Sequence, residues 1–293
     1  MLQSLLTLAP PPSGLSALEH AQRLATEFKR IANHLLRSYS LVINKIPFQI
    51  IDVEIYFYDS EFHPDVYSHR QQIQLEKGLM YFHKSGSGYR GGSRKGLDLT
   101  FGQNGAFGGI LIRCIKHKEL VIEGPSLVVD YILSTFKSES ISKFIKSCLN
   151  GNLSFCEENI VWISPVSLYP VASVLECYRV GLTPKLETNA LKFLAKRYRF
   201  VSIPGLLKKG RHQIIEGTIH AQRNQKPLLA DEQLVENVSK ICGVPTSSVK
   251  RDMADLRRGE EKSRGGVEGM KTGGTRDMVE LYGALSKLYP MNE

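Results

Sequence analysis

Apolar residues recur at helical spacing near the N-terminus: Leu18, Ala21, Ala25, Phe28, Ala32 and Leu35, with Glu27, Lys29 and Arg30 between them. Ser16 stands before this run and Glu19 follows three residues later, the pairing of a capping box. The spacing predicts a helix from there to about Leu36, after a loop at residues 10–13. The pattern then changes to strand-like runs at 41–46 and 48–58, joined by a turn near Pro47. Residues 108–115 read as a buried strand entering from a glycine bend. Residues 126–136 and 141–149 read as helices, and 159–163, 178–182 and 198–202 as short strands. This order predicts an α+β fold: a single curved, mainly antiparallel sheet with flanking helices.

Composition shifts at Ile203-Pro204-Gly205, after which the chain is polar and largely helical. A boundary is expected there, giving a sheet domain over 1–204 and a small all-α region over 205–293. The glycine-rich stretch 259–274 is expected to be mobile, and 275–289 to form a last amphipathic helix. Between them, 234–258 reads as a helix, a turn at Gly243-Val244 and a second helix capped by Thr246 or Ser247. Val238, Ile241, Val244, Val249 and Met253 would pack the pair. This segment resembles the helix-turn-helix units of bacterial repressors. That resemblance implies that Ser247, Ser248, Lys250 and Arg251 face a DNA groove or its phosphates. The competing reading is an ordinary helical hairpin.

The bulk properties narrow the classes. At 293 residues the chain can hold one large domain and an appendage. No apolar run reaches the roughly 18 residues that cross a bilayer, so no membrane partner is expected. The start, Met1-Leu2-Gln3-Ser4-Leu5-Leu6, lacks a basic region, so no signal peptide is expected. Cys114, Cys148, Cys156, Cys177 and Cys242 are scattered with no CxxC, which points to a reducing compartment. A cytoplasmic or nuclear location is expected (nucleoid-associated in a prokaryote), and a monomer. The net charge of +9 and the pI of about 9.2 permit a polyanionic partner.

The candidate chemistry lies in residues 51–126. Glu54 and Tyr56 are two apart in an apolar strand, so they share a face. A carboxylate among Ile51, Val53 and Ile55 either pairs with a cation or is pushed toward its neutral form. If ionised, it can activate a water. Arg113, at the end of a second apolar strand, is the candidate partner. The competing reading is a buried Glu–Arg pair with no chemical task. Tyr56 is placed to stack on a base, or to fill the sheet face. His63 and His69 flank Asp65 and can donate to a base or phosphate. His63, His69, His83 and Glu54 lack recognisable ligand spacing, so no metal or other cofactor is expected. Residues 83–96 interleave Lys84, Arg90, Arg94 and Lys95 with glycines and Tyr89, which suits a nucleic-acid backbone or a solvated flexible loop.

These residues, in this order, resemble the alkyladenine (3-methylpurine) DNA glycosylase family. The likeness runs through Val53-Glu54-Ile55-Tyr56 with His69, Gly78-Leu79-Met80-Tyr81-Phe82 leading to Tyr89, Leu111-Ile112-Arg113, and Gly124-Pro125-Ser126-Leu127. Tyr178-Arg179-Val180-Gly181-Leu182 and Arg197-Tyr198-Arg199-Phe200 resemble the family's closing strands. The resemblance implies the family's fold and a monofunctional glycosylase acting on double-stranded DNA. Such an enzyme flips a base and breaks its N-glycosidic bond with an activated water. It makes Glu54 the general base and Arg113 the residue that helps hold the water. It makes Tyr56, His69 and Tyr89 the residues around the base. The family's inserted tyrosine has no counterpart in residues 90–94, and its guanine-excluding asparagine has none either. Asp98 or Thr100 lies nearest, and an acid at Asp98 would accept from an exocyclic amine. A non-catalytic DNA-binding protein on the same fold is the alternative, and a hydrolase of RNA or modified nucleotides a third reading.

Overall fold

The computed structural model describes residues 2–10, 12, 14–171, 173–184, 188–224, 229–267 and 270–289. The chain is α+β: a large, mainly antiparallel sheet with flanking helices, followed by a helical C-terminal region. It divides into two compact units, Met1–Val174 and Leu175–Glu293. The division falls ahead of Pro204, so the last two short strands group with the C-terminal helices. Pro11 and Ser13 of the expected N-terminal loop lie outside the described residues.

In the first unit α1 (Leu2–Leu5) precedes α2 (Ala17–Ser38). Both halves of the capping box form: Ser16 Oγ accepts from the Glu19 N–H, and Glu19 accepts from the Ser16 N–H. The strands are β1 (Tyr39–Ile43), β2 (Ile46–Asp59), β3 (His63–Pro64), β4 (Lys77–Phe82), β5 (Lys84–Ser85), β6 (Gly88–Tyr89), β7 (Leu97–Phe101), β8 (Phe107–His117), β9 (Leu120–Glu123) and β10 (Val161–Pro165). The sheet runs β10-β1-β2-β8-β7-β4, with β3 added on β2 and β9 on β8. The β1–β2 turn is made by Asn44 and Lys45, at φ 48° and 68°, and not at Pro47. A two-residue hairpin turn needs positive φ, which Asn tolerates and proline cannot adopt.

Alternation gives the sheet two unlike faces. One is apolar: Val53, Ile55, Phe57, Leu99, Phe101, Ile110 and Ile112 are all buried. Helix α2 sets Phe28 against it, with ring centroids 5.5 Å from Phe57 and 5.9 Å from Phe101. The other carries the polar residues of the candidate site. After β9, Gly124 and Pro125 open α3 (Pro125–Thr135), and α4 (Ile141–Ser147) follows.

In the second unit β11 (Leu175–Cys177) pairs antiparallel with β12 (Arg199–Val201), and α5 (Thr188–Leu194) lies between them in sequence. Then come α6 (Arg211–Arg223), α7 (Asp231–Cys242), α8 (Thr246–Lys262) and α9 (Thr275–Leu288). Gly243 ends α7 in the left-handed region at φ 63°. Pro245 occupies the N-cap of α8, where Thr246 or Ser247 had been expected, and makes no side-chain cap. Ile241 is exposed, and Leu234, Val235 and Cys242 take its expected place in the core. Helix α8 runs through Gly259, so no gap opens there. A Cβ on Gly259 would sit 1.8 Å from the Glu280 carbonyl oxygen, and one on Gly283 2.1 Å from that of Leu256. The two glycines let α8 and α9 meet backbone to backbone. Glu268 and Gly269, in the stretch expected to be mobile, lie outside the described residues. Among the described residues no helix is long and apolar enough to cross a membrane.

Candidate functional site

The strand register assembles the site. Glu54 lies opposite Leu111, Leu111 opposite Asp98, and Asp98 opposite Tyr81. Two residues along, Tyr56 lies opposite Gly109 and Gly109 opposite Thr100. Period-two alternation then puts Glu54, Tyr56, Arg113, Asp98 and Tyr81 on one face of four adjacent strands. Its centre is closed to solvent, with Glu54 0% exposed, Asp98 2% and Arg113 6%, while Tyr56 is half-buried.

Glu54 and Arg113 meet as the sequence suggested. Arg113 Nη1 lies 3.1 Å from Glu54 Oε1. A second acid, Asp52, stands 3.5 Å from Arg113 Nε, at an irregularity in the β2–β8 pairing. The Arg113 backbone is fixed as well, because its carbonyl accepts from the Gly124 N–H at 2.7 Å. This is where the Gly124-Pro125-Ser126 motif acts: it turns β9 into α3 and ties the turn to Arg113. Tyr56 donates its hydroxyl to Glu54 Oε2 at 2.8 Å. Its polar end therefore orients the carboxylate.

Beside this group lies a second polar cluster. His83 Nε2 is 2.7 Å from Asp98 Oδ1, and Gln74 donates to Asp98 Oδ2 at 3.5 Å. Asp98 is thus already engaged by two side chains of the protein. Gly109 makes the space, since a Cβ there would stand 2.6 Å from Asp98 Oδ2. His69 Nδ1 is 3.1 Å from the Tyr81 hydroxyl, and its ring meets that of His83 edge-on at 4.4 Å. Burial, then His83, lowers the His69 pKa to about 4 against the opposing pull of Asp98. His69 is therefore a neutral imidazole at pH 7. Burial likewise raises Tyr81 to about 12 and keeps its hydroxyl protonated.

The glycine-rich segment contains a short hairpin. Strands β5 and β6 pair, with Gly86 in the turn at φ 60°. Lys84 Nζ sits 5.3 Å over the Tyr89 ring, and Arg90 Nε donates to the Lys84 carbonyl. Lys95 is tied to Asp130 at 2.7 Å, while Arg94 is exposed. His63 does not join the polar face. It is buried, hydrogen-bonded to the Phe57 carbonyl, and its ring contacts Phe28 and Phe57. It is thus unable to reach a base or a phosphate. Among the described residues no three His, Cys, Asp or Glu side chains form a metal site. Lys250 and Arg251, in the second unit, are exposed on α8.

Sequence reasoning gave no role to Asp52, Gln74, Tyr81 or the His83–Asp98 pair. The signal was present for some of them. Asp52 precedes Glu54 by two, and His83 follows Tyr81 by two, so each shares its neighbour's face. Gln74 belongs to a short 3₁₀ turn, Gln72–Leu75, which has no such periodicity.

No protein-family model matches the chain. An uncharacterized protein of Acanthamoeba polyphaga mimivirus is 24% identical to it over 208 residues, 64% of this chain and 92% of that protein. That description carries no activity to transfer. A functional reading rests on the side chains themselves.

Proposed function

We propose that the first unit is a glycosylase of the alkyladenine DNA glycosylase type, which hydrolyses the N-glycosidic bond of a flipped base in duplex DNA. The observation that carries this reading is the Glu54 carboxylate held on a buried sheet face between Arg113 and the Tyr56 hydroxyl. In the proposed step the base leaves with the electrons of the glycosidic bond. The sugar carbon develops cationic character, and water adds to it. Glu54 takes the proton released by that water. The Arg113 guanidinium, 3.1 Å from Glu54 Oε1, holds the carboxylate in place for this task. Tyr56 orients the carboxylate. Neutral His69, the Tyr81 hydroxyl and the Tyr89 ring are the groups available to the base. The Lys84, Arg90 and Arg94 side chains are available to phosphates.

One observation favours the alternative, a non-catalytic DNA-binding protein. Both Glu54 oxygens are already occupied within the protein and the side chain has no exposure. An acid so enclosed can serve as a structural ion pair. The two readings separate in one assay, in which duplexes carrying alkylated, deaminated or hypermodified bases are incubated with the protein and free base is measured. Release of at least one base supports the glycosylase. Tight duplex binding with no release on any substrate supports the alternative.

A further inference from the structure

The second unit holds a surface that the glycosylase reading leaves unused. Helices α7 and α8 are joined by Gly243-Val244-Pro245, with Gly243 left-handed. Their inward faces bury Leu234, Val238, Val249, Met253 and Leu256. Helix α6 completes a three-helix core through Ile214, Ile215 and Ile219, and His212 on α6 meets Asp252 on α8 at 2.7 Å. This is the arrangement in which a helix-turn-helix unit presents the outer face of its last helix.

The charge on α8 is distributed unevenly. Toward its C-terminal end every described cation is matched. Arg257 pairs with Asp231 at 2.6 Å, Arg258 with Glu280 at 2.9 Å, and Lys262 with Glu280 at 2.5 Å. Nearer the N-terminal end, Ser247, Lys250, Arg251 and Ala254 are exposed at relative positions i, i+3, i+4 and i+7, which is one helix face. Among the described residues neither Lys250 nor Arg251 has an ion-pair partner. The small Ala254 leaves room for close approach. Cations outside ion pairs therefore occur where such a helix meets base edges and phosphates, and the remaining basic residues of α8 sit in surface ion pairs. Asp231, Glu232 and Glu261 line the groove beside Lys250 and Ala254, and of these Asp231 is paired with Arg257.

We infer that α8 is a recognition helix. The second unit binds undamaged duplex DNA in the major groove through Ser247, Lys250 and Arg251, independently of the Glu54 site. Arg251 and Lys250 supply charge and donors to guanine edges or phosphates, and Ser247 a hydroxyl near the helix start.

The test uses the full chain and a short fluorescent undamaged duplex, with anisotropy read across a salt series. Lys250→Ala/Arg251→Ala should weaken binding about tenfold or more and lower the salt slope by about 1.8, two contacts at about 0.9 each. Arg257→Ala/Lys262→Ala, which removes paired cations of the same helix, should change binding less than twofold. Selection from a randomised duplex pool should enrich a short motif, and Ser247→Ala should relax it. The inference is overturned if the Lys250/Arg251 variant binds like the parent, or if the paired-cation variant loses as much. It is also overturned if no motif is enriched, or if single-stranded DNA competes equally. Glu54→Gln leaves this surface intact, so loss of base release and loss of duplex recognition are separate results.

Discussion

Replacing Arg113 by methionine removes the guanidinium that faces both Glu54 and Asp52. At 3.1 Å and an effective dielectric of about 20, the Glu54–Arg113 attraction is about 5 kcal/mol before desolvation. Taking the ions out of water costs several kcal/mol each, so the intact pair is close to neutral for stability. Removing one member is not neutral, because two carboxylates at 0% and 2% exposure lose the guanidinium they share. The expected loss is about 3 to 5 kcal/mol. That is a large part of the roughly 5 to 15 kcal/mol that holds a domain together. The assay is urea unfolding followed by fluorescence. The single tryptophan, Trp162, lies on β10 of the first unit and reports that unit. Arg113→Lys, which keeps a charge but not the fork that spans both acids, should lose less than the methionine variant and keeps the test usable if that variant fails to fold. A methionine variant within about 0.5 kcal/mol of the parent would refute the reasoning.

Three other outcomes follow from the geometry. The His69 pKa, about 4 when folded against 6.5 as the ordinary value, means that the unfolded chain binds a proton more readily between those values. Stability is therefore lost as pH falls from 6.5 toward 4, and His69→Gln should flatten that slope in urea titrations at successive pH values; an unchanged slope contradicts the burial argument. Gly259→Ala puts a methyl group 1.8 Å from the Glu280 carbonyl oxygen and should cost about 1 to 3 kcal/mol by circular dichroism melts, whereas a neutral result would mean α8 and α9 separate easily. Gly109→Ala crowds Asp98 and Gln74 at 2.6 and 2.7 Å, and should lower any base release and shift the His83 ring resonances; no change in either would remove that cluster from the site.

Much of the fold was legible because its signals are local. The Ser16/Glu19 pair and the apolar period set α2, and the alternation in β2 and β8 set the sheet faces. The same alternation put Glu54, Tyr56 and Arg113 together, since side-chain direction in a strand follows from counting. What stayed hidden depended on tertiary neighbours. Gly259 reads as a breaker in isolation, yet it is kept within α8 by the close approach of α9. His63 reads as polar, yet it is folded into an aromatic cluster under α2. Nothing along the chain announces that His83 and Gln74 reach the Asp98 side chain. The hairpin turn at Asn44-Lys45 was missed in favour of Pro47 because proline is the louder turn signal, although its ring forbids the φ required there.

The central claim is that Glu54 activates water at a sugar carbon. Its most direct test is single-turnover base release by Glu54→Gln against the parent, on whichever modified duplex the parent cleaves, with duplex affinity measured in parallel. Release should fall by about 10² to 10⁴-fold while affinity holds within a few-fold. Undiminished release by the glutamine variant, or no release by the parent on any modified duplex, would contradict it.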